Sequence, residues 1–174
     1  MRVYNFSAGP SMLPLEVLQE AQAEFVDYKG CGMSVTEMSH RSKQFDAIHN
    51  ECISLIRELM GVPENYEVLL VQGGASTQFA AIPMNLLTSG KADYVVTGNF
   101  AKKAYKEALK YGDIHVAGSS EADKFTYIPK ELDIRDHAVY LYICQNNTIF
   151  GTRYNKLPEC KMPLVADISS NILS

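Results

Sequence analysis

Small polar and charged side chains follow four apolar runs of the sequence, each at the point where the run ends. The four clusters are "QGGASTQ" (72–78), "TGNF" (97–100), "QNNT" (145–148) and "DISS" (167–170). Open α/β sheets bind their ligands beyond the carboxyl ends of the parallel strands. If the four runs are strands of one such sheet, the clusters meet at one edge and could form a binding site.

Each cluster offers a different chemical group. Ala75 and Ser76 follow two glycines at the predicted start of a helix, where free N–H groups and the helix dipole favour a phosphate. Phe100 could stack on a flat ring, Thr148 could donate its hydroxyl to a ring substituent, and Asp167 supplies a carboxylate. Ordinary structural explanations stay open: a turn and helix cap, a core or staple aromatic, a turn threonine and a solvated loop acid.

Together these groups match the needs of pyridoxal phosphate. An aspartate paired with the pyridine nitrogen keeps that nitrogen protonated, so the ring can withdraw electrons from a substrate carbanion. We therefore predict pyridoxal 5'-phosphate as the ligand and Asp167 as the partner of the ring nitrogen. Neither G-x-x-x-x-G-K-[ST] nor a G-x-G-x-x-G with a following acid occurs, which weakens the nucleotide-loop interpretations. A non-catalytic phosphate- or nucleotide-binding α/β module remains an alternative.

The elements that would position these groups alternate along the chain. Residues 14–30 predict a first helix, with Pro14 at its first position and Gly30 as its stop, and a second helix runs from the region of Phe45 to "GVP". Predicted strands ("YEVLLVQ", "DYVVTG", "IHVAGS", "AVYLYICQNNTIFG", "PLVADISS") then alternate with helical runs ("STQFAAIPMNLL", "NFAKKAYKEALKYG"). This pattern predicts an α/β fold, an αβα sandwich with a mainly parallel sheet, and Pro83 is expected to kink its helix.

Composition excludes several classes of partner. The 174 residues are 47% hydrophobic and 21% charged with a net charge of -4, so we expect a globular protein that does not bind nucleic acid. The apolar runs are too short to span a bilayer and the start of the chain does not read as a signal peptide, which predicts a cytoplasmic protein without membrane association. The four cysteines lack metal-ligand spacing, so we expect reduced thiols and no metal site.

Four stretches, taken together and in order along the chain, resemble the phosphoserine aminotransferases, class V enzymes of fold type I that use pyridoxal phosphate. They are "NFSAGPSMLP" (5–14), "MSHRSKQF" (38–45), "GGASTQFAAIPMNLL" (73–87) and "VADISSNILS" (165–174). The resemblance implies a truncated large domain of the aspartate aminotransferase-like type. An N-terminal segment (1–15) would precede the N-terminal part of that domain (16–174), and the rest of the large domain and the C-terminal domain would be absent.

The resemblance also implies roles for individual residues. Ala75 and Ser76 match the pair whose backbone holds the cofactor phosphate, and Phe100 lies where the family stacks an aromatic ring, often Trp. Thr148 and Asp167 match the threonine and aspartate that contact the pyridine ring. These are the same five residues that the strand-end pattern selects.

Two further residues are implied to bind substrate. Arg41 matches the residue that binds an anionic group, and its forked guanidinium suits both a carboxylate and a phosphate, although a solvated charge at a helix start is the simpler explanation. His40 could contact the substrate phosphate or cap the second helix. The implied reaction, a step of serine biosynthesis, transfers the amino group of glutamate to 3-phosphohydroxypyruvate, giving O-phospho-L-serine and 2-oxoglutarate.

The family carries its Schiff-base lysine beyond the equivalent of Asp167, so this chain is expected to hold no catalytic residue of its own. Lys102, Lys103 and Lys161 do not lie at the matching position. The resemblance therefore implies that the chain is inactive alone, needs its C-terminal half, and forms a homodimer. Other fold type I enzymes stay open as alternatives, namely an alanine–glyoxylate-type aminotransferase or a cysteine desulfurase, which typically has histidine where Phe100 stands.

Overall fold

The computed structural model of the chain describes residues 2–7 and 9–174, which fall into two units that meet in sequence at residues 70 and 71. The first unit contains the helices α1 (Leu15–Glu24) and α2 (Lys43–Met60) and two short 3-10 turns, Tyr28–Gly30 and Val35–Glu37. The predicted division of the chain at residues 15 and 16 stays a prediction. Among the described residues, no helix is both long and apolar enough to cross a bilayer.

The helix α1 is shorter than predicted. It ends at Glu24, and Pro14 is its N-cap residue and not its first helical residue, so the prediction of a helix up to Gly30 is wrong. Asp27 has an extended backbone, and its Oδ1 accepts a hydrogen bond of 2.7 Å from the Gly32 N–H. A short polar side chain that bonds nearby backbone competes with helix formation, which explains the early end.

The helix α2 is confirmed with both of its ends. The Ser42 hydroxyl accepts a hydrogen bond from the Phe45 N–H at 3.2 Å and caps the start. Gly61 adopts a left-handed conformation (φ 60°) and its N–H bonds back to the Arg57 carbonyl, which ends the helix.

The second unit is built on one parallel sheet. Its strands are β1 (Lys91–Val96), β2 (Asp113–Ser119), β3 (Leu141–Cys144) and β6 (Leu164–Asp167), in the order β2-β1-β3-β6, and all three pairings are parallel. The helix α4 (Asn99–Ala108) connects β1 to β2 in a βαβ unit, and α3 (Gly74–Leu86), which precedes β1, continues through Pro83. A two-residue antiparallel pair, β4 (Asn146–Asn147) and β5 (Thr152–Arg153), follows β3. The prediction of a mainly parallel α/β fold is confirmed.

One predicted strand is wrong. Residues 67–71, within "YEVLLVQ", form no strand, and Leu69 and Val71 are 74% and 63% exposed. A strand exists only through hydrogen bonds to a neighbouring strand, and none of the described residues pairs with this run. An apolar run is therefore left exposed in the described part of the chain.

Apolar clusters cover both faces of the sheet. On one face α3 and α4 pack on a tyrosine-rich cluster, in which the rings of Tyr94 and Tyr142 stack with centroids 4.7 Å apart. The Tyr94 and Tyr140 hydroxyls share a buried hydrogen bond of 2.8 Å. The other face is covered by irregular chain, including Ile128 and Leu132. Successive residues of a strand point to opposite faces, so these two clusters identify the side to which each strand residue points.

Candidate functional site

The start of α3 lies at the carboxyl edge of the sheet. The far end of α3 lies at the opposite edge, because a Cβ atom on Gly112, directly before β2, would come within 2.6 Å of Leu87 Cδ2. Gly73 occupies the N-cap position and has no side chain with which to cap the first turn. The N–H groups of Ala75 and Ser76 belong to that turn and have no partners within the helix. Together with the helix dipole, they form a surface that can bind an anion.

The two glycines before Ala75 are required by the backbone. Gly73 and Gly74 have φ of 106° and 61°, in the left-handed region that favours glycine. A Cβ atom on Gly73 would also lie 2.4 Å from Thr77 Oγ1. The turn therefore leads into α3 without side chains of its own, so a ligand can approach the backbone N–H groups.

Phe100 is the second residue of α4, close behind the carboxyl end of β1. Its side chain is 36% exposed and is a member of neither apolar cluster, which argues against the core explanation. The Lys103 ammonium lies 5.5 Å from the ring centroid. The ring is thus available for contact at the same edge as the start of α3.

Thr148 lies in the turn between β4 and β5. Its side chain is exposed, whereas the preceding residue, Asn147, is only 3% exposed. The turn is closed by a hydrogen bond of 2.8 Å from the Gly151 N–H to the Asn147 carbonyl. The Thr148 hydroxyl is thus held on an ordered turn beyond β3.

Asp167 is the last residue of β6, and its carboxylate is held from both sides. Oδ1 accepts hydrogen bonds from the Ser169 N–H at 3.0 Å and from the Ser169 hydroxyl at 2.6 Å. Oδ2 faces the Cys144 thiol, with Sγ at 3.9 Å. A thiol is a weak donor, so Oδ2 keeps capacity for a stronger partner.

Two titratable side chains beside Asp167, Cys144 and Tyr142, have pKa values that are raised by burial and by its charge. Burial, followed by the negative charge of Asp167, raises the pKa of the Cys144 thiol to about 12. Burial and the same carboxylate also raise the pKa of Tyr142. Both side chains therefore stay neutral near physiological pH. They leave the Asp167 carboxylate free to pair with a cationic group.

Strand register shows which face carries Asp167. Asp167 is paired with Cys144 across the β3–β6 ladder, and Val165 is paired with Tyr142 two residues earlier. Tyr142 and Val165 contribute to the cluster beneath α3 and α4. Because residues two apart in a strand share a face, Asp167 points to the face from which both helices begin. Three of the four predicted clusters therefore share one edge and one face, and Thr148 shares the edge.

The predicted substrate residues lie in the first unit. His40 and Arg41 are exposed and directly precede α2. The Arg41 N–H donates to Ser39 Oγ at 3.2 Å. The cap of α2 is Ser42, so the capping role considered for His40 is wrong. Their roles in substrate binding stay predictions.

Sequence reasoning missed three side chains that shape this edge, namely Ser169, Cys144 and Asn147. Ser169 had a readable signal, because a serine two residues after a strand-end aspartate commonly bonds back to it. The contact of Cys144 with Asp167 depends on strand register, and the partner of Asn147 lies 50 residues away along the chain. Those two contacts have no local signature.

A parallel α/β sheet with an uncapped helix start and a fixed carboxylate at its carboxyl edge is typical of proteins that bind phosphorylated ligands. The model of the family described as aminotransferase class-V matches residues 3–174. The chain belongs to the class V aminotransferase family.

Known relatives carry a more specific name. The chain is 53% identical over 177 residues to a protein named phosphoserine aminotransferase from Niallia circulans and 52% identical over 176 residues to one from Bacillus subtilis. Each alignment covers 99% of this chain and 49% of the relative. The chain therefore spans about half the length of the curated relatives it matches.

Solved structures of proteins with the same name are also similar to this chain. A phosphoserine aminotransferase from Bacillus circulans subsp. alkalophilus matches with a TM-score of 0.90 and 52% identity, covering 95% of this chain and 47% of that one. A phosphoserine aminotransferase from Trichomonas vaginalis, solved with pyridoxal phosphate bound, matches with a TM-score of 0.91 and 40% identity, covering 98% and 52%.

Proposed function

We propose that this chain is the N-terminal half of a phosphoserine aminotransferase, which transfers the amino group of glutamate to 3-phosphohydroxypyruvate and yields O-phospho-L-serine and 2-oxoglutarate. The observation that carries the proposal is the position of Asp167. Its carboxylate lies at the carboxyl edge, on the face where α3 and α4 begin, and keeps one oxygen weakly engaged. The names of relatives that are more than half identical over 99% of the chain support the same assignment.

Pyridoxal 5'-phosphate is the proposed cofactor, and the residues present fit it. The N–H groups of Ala75 and Ser76 would bind the phosphate, because the glycine cap leaves them free. The exposed Phe100 ring would stack on the pyridine, and the Thr148 hydroxyl would contact a ring substituent. Asp167 would accept a hydrogen bond from the protonated ring nitrogen. When bound, the group supplies an electron-withdrawing ring that stabilises negative charge on a substrate carbon.

Arg41 and His40 are the proposed substrate-binding residues. The exposed Arg41 guanidinium could bond an anion at two points, which suits both the glutamate carboxylate and the phosphate of phosphoserine. His40 would add a donor to the substrate phosphate. The residue that moves the proton between substrate and cofactor is proposed to be a lysine outside residues 1–174, since family members place it beyond the equivalent of Asp167.

Exposed apolar surface supports the need for a C-terminal half and a second subunit. In the first unit α1 and α2 bury none of their residues, and Tyr4, Phe6 and Val26 are 81%, 87% and 81% exposed. Exposed apolar surface on this scale marks an interaction surface. We propose that residues 1–15 are an N-terminal segment, that residues 16–174 begin the large domain, and that the complete enzyme is a cytoplasmic homodimer, in keeping with four free thiols.

The test is to assay the full-length protein that includes residues 1–174 for phosphoserine formation from glutamate and 3-phosphohydroxypyruvate. We expect turnover and the absorbance of a lysine-linked cofactor, and we expect residues 1–174 alone to show neither. A full-length protein without activity and without that absorbance would contradict the proposal. Profiling with alanine and cysteine as amino donors separates the related aminotransferases and desulfurases. Tight nucleotide binding without a response to pyridoxal phosphate would favour a non-catalytic module.

A further inference from the structure

The side chain of Asn147 joins two turns at the carboxyl edge of the sheet. Its Nδ2 group donates one hydrogen bond to the carbonyl of Thr97, which follows β1, and one to Thr152 Oγ1 at 3.3 Å on β5. Both amide hydrogens are therefore used, and the side chain is 3% exposed. A buried side-chain amide with both hydrogens bonded has one orientation, so it fixes the backbone on either side.

Gly98 allows this approach. The three atoms nearest to a Cβ placed on Gly98 all belong to Asn147, with Oδ1 at 2.3 Å. The φ of Gly98 is 173°, extended backbone that any residue can adopt. The glycine is therefore required by the packing of Asn147 and not by its own conformation.

The preceding residue bonds to the opposite neighbour in the sheet. Asn146 Nδ2 donates to Ser170 Oγ at 2.8 Å, in the loop that follows Asp167. Successive residues of an extended chain point in opposite directions, so two adjacent asparagines reach the two neighbouring strand ends. Asn146 and Asn147 thus connect the ends of β1, β3 and β6.

We propose that Asn147 is a positioning residue that locks the turn before α4 to the turn after β4, and so fixes Phe100 and Thr148 for the same flat ring. Phe100 lies two residues beyond Gly98, and Thr148 directly follows Asn147. Displacement of either turn would move the stacking ring relative to the hydroxyl. The role rests on the proposed function, because Phe100 and Thr148 matter in this way only if they contact the cofactor.

The first measurement needs no cofactor. In the full-length apoprotein, Asn147→Asp keeps the shape of the side chain but sets an acceptor against the Thr97 carbonyl. We expect faster amide hydrogen exchange in both segments, residues 97–100 and 147–152. The matched control is Asn85→Asp, which removes an exposed amide bond of 2.8 Å to the Ala81 carbonyl and should change neither segment.

The second measurement is the Kd for pyridoxal phosphate, with the position of the cofactor absorption band, well below the melting temperature. We expect Asn147→Asp to weaken binding roughly tenfold, the effect of one hydrogen bond of ordinary strength, and to shift the band. Gly98→Ala keeps every hydrogen-bonding group and serves as a second variant if Asn147→Asp does not fold. It should also weaken binding, but in an Asn147→Ala background it should have little further effect, because the three atoms nearest to the added Cβ all belong to the side chain of Asn147.

The outcomes separate this proposal from the proposed function. Equal effects of Gly98→Ala in both backgrounds would show that residue 98 does not pack against Asn147. Unchanged hydrogen exchange in Asn147→Asp would show that Asn147 does not hold the two turns together. Faster exchange with unchanged cofactor affinity and spectrum would overturn the positioning role. A wild-type protein that binds no pyridoxal phosphate would refute the proposed function, while the exchange measurement would still decide whether Asn147 joins the two turns.

Discussion

Asp167→Asn is the most informative single substitution at the proposed site, because it removes the charge and leaves the geometry. An asparagine Oδ1 can still accept both hydrogen bonds from Ser169, at 3.0 Å to the N–H and 2.6 Å to the hydroxyl. What is lost is the charged acceptor at Oδ2. A hydrogen bond to a charged group contributes about 1.5–3 kcal/mol, which corresponds to roughly 10- to 100-fold weaker binding of pyridoxal phosphate.

The same substitution has a readout that needs no cofactor. The negative charge of Asp167 is the second cause, after burial, of the raised pKa of Cys144, about 12. In Asp167→Asn the pKa of Cys144 should fall but stay above the ordinary value, because burial remains. The assay is the pH dependence of alkylation at Cys144, followed by peptide mass spectrometry, with the exposed Cys52 as the internal reference.

The sign of the pH effect on stability follows from the direction of this shift. The folded chain keeps the Cys144 thiol protonated up to about pH 12, whereas a thiol in the unfolded chain has a pKa of about 8.5. Between these values the folded state binds more protons, so this group's contribution to stability is present below about pH 8.5 and is lost as pH rises. In Asp167→Asn the pKa of Cys144 in the folded state is lower, so the total loss should be smaller, whereas the pH at which the loss begins is set by the unfolded chain and should not change.

Two results would refute the reasoning about Asp167. An unchanged alkylation profile in Asp167→Asn would mean that the carboxylate does not face Cys144. Unchanged affinity for pyridoxal phosphate, in a full-length protein that binds it, would mean that the carboxylate does not pair with the ring nitrogen. Cys52 should alkylate with the same pH dependence in both proteins, and a change there would point to altered folding.

Two further substitutions test the scaffold. Asp93 is fully buried and accepts hydrogen bonds from Arg135 Nε at 2.8 Å and from the Arg135 backbone N–H at 2.6 Å. Arg135→Ala should therefore lower the free energy of unfolding in urea by about 3 kcal/mol, because it leaves a buried carboxylate without its charged partner. Asp113→Asn, at an exposed carboxylate, should cost less than about 1 kcal/mol, and equal losses for the two substitutions would contradict this. Gly73→Ala should cost about 1–3 kcal/mol from its positive φ, measured by thermal unfolding, and should weaken phosphate binding at the start of α3. Adding Thr77→Ala should recover only the part that comes from the overlap with Thr77 Oγ1 and Cγ2, since the Cβ of residue 77 would remain 2.8 Å away. Full recovery would show that the φ of residue 73 is not strained.

Local signals predicted most of the sheet and the helices beside it. The strands β1, β2, β3 and β6 were all predicted as short apolar runs and are observed, whereas the run before the first polar cluster (72–78) forms no strand. The end of α2 could be predicted from Gly61, which takes the left-handed conformation expected of a C-cap. Gly30 gives a similar signal for the end of α1, but the hydrogen bond that the Gly32 N–H donates to Asp27 Oδ1 ends the helical path earlier.

The site was predictable to the extent that topology alone positions it. Parallel strands bring their carboxyl ends to one edge, so Asp167 and the start of α4 could be assigned to the same edge from their place in sequence. The contacts that orient the carboxylate depend on register, since a shift of one residue would turn Cys144 to the other face. Such contacts follow only from coordinates.

The run at residues 67–71 shows why a correct reading of local preference can still fail. Leu69, Leu70 and Val71 have the composition of a buried strand, yet they are 74%, 54% and 63% exposed. Strand propensity measures how well a residue fits a paired and covered surface, so it predicts a strand only where a partner strand is available. Among the described residues of this chain none pairs with the run. The sequence pattern is therefore best explained if the partner strand lies outside residues 1–174. We expect the amides at 67–71 to be protected from hydrogen exchange in the full-length protein but not in residues 1–174 alone.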